Sequence, residues 1–274
     1  MKTLIVPTDF SPVAINAMNY AAEMAKSIQA SILLTHVYQV PVTFSEVPVP
    51  IVPVEELKKT AEDRLKELKE KLTHTYSGKL KVYTEAILGE PIDELFKLCR
   101  AIHPFAVVMG THGTSGLEKM IMGSTTLSAI RHLDFPVLAI PPGTTFHAIK
   151  KIGLACDLKN VIASTPISFI KSIVEEFHAD LQVLHVDYDD QQAKDEVPLE
   201  SAHLESLLGA IRPTYHFLKS KDLVQGINEF AEKNNLNLVM VIPKKHKLLE
   251  SLFHKSGSAG LVTHSHIPVM SIHE

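Results

Sequence analysis

Residues 107–126 read VVMGTHGTSGLEKMIMGSTT. An apolar run closes on Gly110, a glycine-rich loop follows, and Gly123-Ser124-Thr125 opens a helical stretch. Nine residues separate Gly113 from Gly123, giving the spacing G-x2-G-x9-G-[ST]. A short, near-continuous apolar run is the pattern of a strand buried on both faces of a parallel sheet. Glycines behind it let backbone N–H groups approach an anion with no Cβ in the way. A helix beginning at Gly123 adds unpaired N–H groups and the positive end of the helix dipole. Ser124 and Thr125 supply hydroxyls that donate to phosphate oxygens. The stretch predicts a strand, loop and helix start suited to a polyphosphate.

The chain around it alternates strands with helices. Leu4–Val6 is a β-branched run that ends in Pro7-Thr8-Asp9-Phe10-Ser11. Ser11 is an N-cap and Pro12 sits in the first turn of the helix that follows. Ala17, Ala21, Met24 and Ile28 give that helix a buried stripe at helical spacing. Ile32–Val37 reads as a second strand, followed by a proline-rich connection from Pro41 to Pro53. Leu57, Ala61, Leu65, Leu68 and Leu72 form an apolar stripe on a charged helix, too short for a coiled-coil seam and suited to covering a sheet. Lys81–Ile87, Pro91–Ile102, Phe105–Met109 and Pro136–Ile140 complete a strand, helix, strand and last strand. This alternation implies a parallel, doubly wound α/β sheet. Ligands of such sheets bind outside the carboxyl ends of strands, where the strand order reverses. Asp9 lies at such an end, placed to accept hydrogen bonds from a base or a ribose.

The whole pattern occurs twice. KTLIVPTD at 2–9 answers to KKIGLACD at 150–157, and ILLTHV at 32–37 to LQVLHV at 181–186. LGEPIDELFKLC at 88–99 answers to VQGINEFA at 224–231, FAVVM at 105–109 to LNLVM at 236–240, and FPVLAI at 135–140 to IPVMSI at 267–272. The turn-rich PPGTT at 141–145 is the natural boundary. The expectation is two tandem five-stranded parallel-sheet domains of Rossmann-like type, over 1–143 and 148–274.

Composition bounds the function. The 274 residues suit two domains at about 100–200 residues each. With 45% hydrophobic and 21% charged residues the chain is ordinary globular material. A net charge of −4 argues against broad phosphate neutralisation on a nucleic acid. No apolar run approaches a bilayer span, the start MKTLIVPTDF does not read as a signal peptide, and two cysteines make no disulfide framework. A reducing cytoplasm, without nucleic-acid or membrane partners, is the expectation.

PTDFS after strand 1, LLTHV as strand 2 and the long glycine motif together resemble the universal stress protein superfamily, with its UspA-like α/β fold, related to adenine nucleotide alpha hydrolases. The resemblance spans nearly all of residues 1–140, and the second half resembles the same fold more loosely. It implies an ATP site in the first half, with Mg²⁺ or Mn²⁺ accompanying the nucleotide and no dedicated metal ligands. Pro7, Thr8 and Asp9 match positions lining adenine and ribose. Val37 matches the strand-2 position whose backbone faces adenine, and Met109 and Gly110 match the end of strand 4. His112 and Gly113 match the phosphate loop, and Gly123, Ser124 and Thr125 the phosphate-binding helix start. The resemblance implies a nucleotide-dependent stress-response regulator with an unidentified protein partner. Weak hydrolysis or autophosphorylation occurs in the family, but this sequence shows no well-defined catalytic base.

The second half departs from the motif. Val241-Ile242-Pro243-Lys244-Lys245-His246 replaces the glycine loop, Lys255-Ser256-Gly257 replaces Gly123-Ser124-Thr125, and Ala155-Cys156 replaces Pro7-Thr8, while Asp157 remains. Side chains then stand where phosphate would approach, so this half is expected to be structural or to take another ligand, with a solvated basic loop preferred over a second anion site. His264-Ser265-His266, with His254 and His273, lacks metal-ligand spacing and reads as surface. His36 and His185 are equivalent and read as structural, and Cys156 as a buried small residue rather than a reactive thiol. Competing readings are a slow ATPase or an adenylyl- or phosphoryl-transfer enzyme, and a nucleotide-free interaction scaffold. The enzyme reading lacks a G-x4-G-K-[ST] motif. Pairing of Val137–Ile140 with Val269–Ile272 would make the two domains a pseudo-dimer within one chain, with a further homodimer open.

Overall fold

A computed structural model of the chain describes residues 2–40, 53–111, 124–158, 161–187, 197–242 and 267–273. These fall into two compact units. Residues 2–110 and 124–137 make the first, and Thr111 and residues 138–273 the second. The partition passes between Val137 and Leu138.

In the first unit, strands β1 (Thr3–Pro7), β2 (Ser31–Tyr38), β3 (Val82–Leu88) and β4 (Ala106–Gly110) pair in parallel in the order β3-β2-β1-β4. The order reverses between β1 and β4, which creates a crevice at their carboxyl ends. The Val107 N–H donates to the Pro136 carbonyl at 2.8 Å, just before β5 (Val137–Ile140). Leu4–Val6, Ile32–Leu34 and Ala106–Met109 are buried, as strands covered on both faces require.

Helix α1 (Pro12–Ser27) starts where the sequence says it should: Ser11 Oγ accepts the Ala14 N–H, and Pro12 occupies the first turn. Its stripe of Ala17, Ala21, Met24 and Ile28 is buried, and so are Met18, Ala22 and Ala25. The alanines let the helix lie close on the sheet. Gly110 permits the closest point, since a Cβ there would stand 2.5 Å from Val13 Cγ1 and 2.7 Å from the Val13 carbonyl oxygen. The long charged helix α2 (Val54–Thr75) packs on β2 and β3 through Ala61, Leu65 and Leu72, with Leu57 and Leu68 half-buried. Helix α3 (Pro91–Ile102) ends on His103 in the left-handed conformation. Burial of Cys99 on the inner face of α3 pushes its thiol up to about 12. Helix α4 spans Ser124–His132.

In the second unit, β6 (Lys151–Ala155), β7 (Asp180–Asp187), β8 (Thr214–Lys219), β9 (Leu238–Val241) and β10 (Val269–Ser271) form a parallel sheet in the order β10-β9-β6-β7-β8. The helix after β6 is broken into α5 (Val161–Ser164) and α6 (Ile167–Phe177). Pro166 lies between them; it has no N–H to donate and disfavours helical geometry at Thr165. Helix α7 (Val197–Leu208) lends Glu200, whose Oε2 accepts the Val161 N–H at 2.8 Å from the first residue of α5. Helix α8 (Leu223–Asn234) is capped by Asp222, whose Oδ1 accepts the Gln225 N–H. The strand-and-helix order of the first unit thus recurs with different connections.

Candidate functional site

The carboxyl ends of β1, β2 and β4 bring the candidate residues together. Thr8 follows β1 directly, and its N–H donates to the Thr35 carbonyl at 2.9 Å, so it continues the ladder to β2. The Thr8 hydroxyl is buried and accepts the Phe10 N–H at 2.9 Å. Asp9 Oδ1 accepts the Ser11 N–H at 2.9 Å, closing an Asx turn while the residue stays exposed. Between them Phe10 adopts φ +65°, a left-handed conformation that residues with a Cβ seldom take. Asp9 is therefore held at the crevice by a turn in which the Thr8 hydroxyl and Asp9 Oδ1 each accept a backbone N–H.

His36 supports this turn from β2. Its Nδ1 lies 2.7 Å from the Thr8 carbonyl oxygen, and its ring centroid 4.6 Å from that of Phe10. Arg64 of α2 places its guanidinium carbon 3.9 Å from the centre of the Phe10 ring. Arginine, phenylalanine and histidine thus join α2, the β1–α1 turn and β2. Next along β2, Val37 is half-buried and in register with Ile87.

At β4, Met109 is buried and Gly110 half-buried. The Thr126 hydroxyl donates to the Gly110 carbonyl at 2.9 Å, which fastens the first turn of α4 to the end of the strand. Thr111 donates its N–H to the Ile140 carbonyl at 2.9 Å. Thr125 is exposed in the first turn of α4. Pro7, Thr8, Asp9, Val37, Met109, Gly110 and Thr125 are accordingly strand-end or helix-start residues. His112, Gly113 and Gly123 lie outside the described residues, as does the side chain of Ser124.

The second unit repeats the turn with altered chemistry. The Cys156 N–H donates to the Leu184 carbonyl at 3.0 Å, Cys156 Sγ accepts the Leu158 N–H at 3.4 Å, and Leu158 has φ +50°. His185 Nδ1 lies 3.2 Å from the Cys156 carbonyl oxygen. Both equivalent histidines thus brace a turn, as expected of structural residues. A thiol stands where the first unit has a hydroxyl, and a leucine where it has a phenylalanine. Cys156 is buried, and Lys244, Lys245 and Lys255 lie outside the described residues. Among the described residues no group of three or more His, Cys, Asp or Glu side chains is arranged to hold a metal ion, and no helix is long and apolar enough to cross a membrane.

The family model described as the universal stress protein family matches residues 1–141. The chain belongs to the universal stress protein family. Universal stress protein MJ0531 of Methanocaldococcus jannaschii is 30% identical over 142 residues, 51% of this chain and 81% of that protein. Universal stress protein MJ0577 of the same organism is 26% identical over 152 residues, 51% of this chain and 94% of that protein. The crystal structure of a universal stress protein from Archaeoglobus fulgidus is similar in fold, with TM-score 0.71, 18% identity, and coverage of 99% of this chain and 96% of that one. The fold is therefore the α/β fold of that family.

In this universal stress protein, sequence reasoning missed the contribution of α2 to the first site. Arg64 stands amid Asp63, Glu67 and the lysines of an evidently solvated helix face, and nothing in that pattern marks it. The available signal was Phe10, an aromatic residue placed in a polar turn.

Proposed function

We propose that the first unit binds ATP, with Mg²⁺ or Mn²⁺, and that the protein acts as a nucleotide-dependent regulator rather than as an enzyme. The observation behind this reading is the convergence of Asp9, Val37 and Gly110 on the crevice where strand order reverses, with α4 fastened to Gly110 by Thr126. That arrangement leads from a nucleoside-facing turn to a helix start, and the sequence between Gly110 and Ser124 supplies the glycines and hydroxyls a triphosphate needs. The divalent cation enters on the phosphates, since Mg²⁺ is commonly bound through few protein groups plus substrate phosphates.

In this reading the second unit is structural or takes a different ligand, because Val241 and Lys244 stand where the first unit has Gly110 and Gly113. The protein works in the cytoplasm, where ATP occupancy alters its contact with a protein partner.

Nucleotide analysis of freshly purified protein, followed by calorimetric titration of ATP with Mg²⁺, tests the reading. The expected result is one site per chain, abolished by Gly113→Val in a folded protein. Two sites would overturn the reading of the second unit, and no binding would overturn the ATP assignment. Turnover at ordinary enzyme rates, about 1 s⁻¹ or above, would favour the transferase alternative.

A further inference from the structure

The stack of Arg64 on Phe10 is more than the turn needs to exist. In the second unit Leu158 adopts the same left-handed conformation at φ +50°, with His185 Nδ1 3.2 Å from the Cys156 carbonyl oxygen and Cys156 Sγ accepting the Leu158 N–H. That unit has no aromatic ring at this position. The backbone turn is thus a property of the fold, and the ring with its cation is an addition found where the sequence also carries the glycine loop.

Arg64 is free to make this addition. Among the described residues it has no ion pair and no hydrogen bond, although α2 also carries Asp63 and Glu67. Its described interaction is with the Phe10 ring face, 3.9 Å from the centroid. The ring also meets His36, at 4.6 Å between centroids, and His36 Nδ1 lies 2.7 Å from the Thr8 carbonyl oxygen. Phe10 thus meets two elements, α2 through Arg64 and β2 through His36, and it is the residue directly after Asp9. A guanidinium over an aromatic face is attracted by the ring quadrupole and loses little hydration in that position.

We propose that Arg64, acting through Phe10, is a positioning residue for the nucleoside end of the site. By holding the ring it fixes the turn from which the Asp9 carboxylate points at base or ribose, so that binding does not have to order it. This rests on the nucleotide reading above and deepens it.

The test titrates wild type, Arg64→Met, Arg64→Lys, Phe10→Leu and the Arg64→Met/Phe10→Leu double variant with ATP and, separately, with adenosine. Phe10→Leu copies the residue that the second unit carries on the same turn, and thermal melts check that each variant is folded. Arg64→Met and Phe10→Leu should each weaken both ligands by the same factor, about three- to fivefold. The double variant should be no weaker than the worse single variant, and Arg64→Lys should recover much of the loss. Loss for ATP without loss for adenosine would put the guanidinium on phosphate and overturn the proposal. Unchanged affinity in folded Arg64→Met, or additive losses in the double variant, would also overturn it while leaving the ATP site standing. Failure of wild type to bind either ligand would remove the nucleotide reading and this inference together.

Discussion

The hydroxyl of Thr126 donates to the carbonyl of Gly110 at 2.9 Å, from a residue only 3% exposed. This one bond joins the first turn of α4 to the end of β4.

Thr126→Val keeps the shape of the side chain and removes the donor. The expected cost is about 1–2 kcal/mol, the range for a buried hydrogen bond whose acceptor is left unsatisfied. Urea unfolding of the two proteins measures it. A midpoint unchanged within error would mean that α4 is held in place by apolar packing alone.

Gly110→Ala attacks the same corner from the other side. Its Cβ would lie 2.5 Å from Val13 Cγ1 and 2.7 Å from the Val13 carbonyl oxygen, and the second of these is backbone that no rotamer change relieves. Helix α1 must move away from β4, at about 1–3 kcal/mol. A thermal melt matching wild type would show that the helix shifts without penalty.

Asp9→Asn and Asp9→Ala separate the two roles of this side chain. Asparagine retains an oxygen to accept the Ser11 N–H and loses the charge; alanine loses both. On the nucleotide reading, Asp9→Ala weakens adenosine and ATP alike and leaves inorganic triphosphate unaffected, with Asp9→Asn between it and wild type for stability. Calorimetric titration of the three ligands is the measurement. Equal losses for ATP and inorganic triphosphate would contradict the nucleoside role.

What the sequence made legible follows the range of the interactions. The N-cap at Ser11, the stripe of α1 and the burial of β4 are set by residues within a few positions of one another, so their spacing exposes them. The equivalence of His36 and His185 was visible because strands keep their register between repeats. The Arg64–Phe10 contact was not visible, since it joins two segments brought together only when α2 packs on the sheet. Nor did the strand-end motif reveal that the Thr8 hydroxyl is spent inside its own turn, on the Phe10 N–H. A polar residue in a ligand-binding motif looks the same in sequence whether it faces the ligand or the backbone. The break of the helix after β6 does have a local cause in Pro166, and its consequence, the reach of Glu200 to Val161, depends on tertiary packing of α7.

His216 predicts a pH dependence. Burial lowers its imidazole below the ordinary histidine value, and its Nε2 lies 2.6 Å from Gln182 Oε1. As pH falls, the unfolded chain takes up the proton before the folded one. The contribution of the neutral side chain is therefore intact above the ordinary histidine value of about 6.5 and is lost as pH falls through it toward the lowered folded value. His216→Phe should show a smaller loss of melting temperature than wild type between about pH 7.5 and pH 5. An identical pH profile would remove His216 from the groups that govern acid stability.

Cys156 offers a comparison that the repeat itself supplies. Its sulfur accepts the Leu158 N–H at 3.4 Å, while Thr8 accepts the equivalent Phe10 N–H at 2.9 Å. Thr8 is 5% exposed and Cys156 8%, so the first unit accommodates the branched side chain at the same depth. Cys156→Thr should therefore fold with stability within about 0.5 kcal/mol of wild type, since a stronger acceptor offsets the added methyl. Cys156→Val has nearly the same shape and no acceptor, and should cost about 1–2 kcal/mol by leaving the Leu158 N–H without its partner. The difference between threonine and valine isolates the hydrogen bond from the packing. Equal urea midpoints for the two variants would mean that the left-handed residue is held by its apolar surroundings, and that the hydroxyl of Thr8 is correspondingly free to serve a ligand in the first unit.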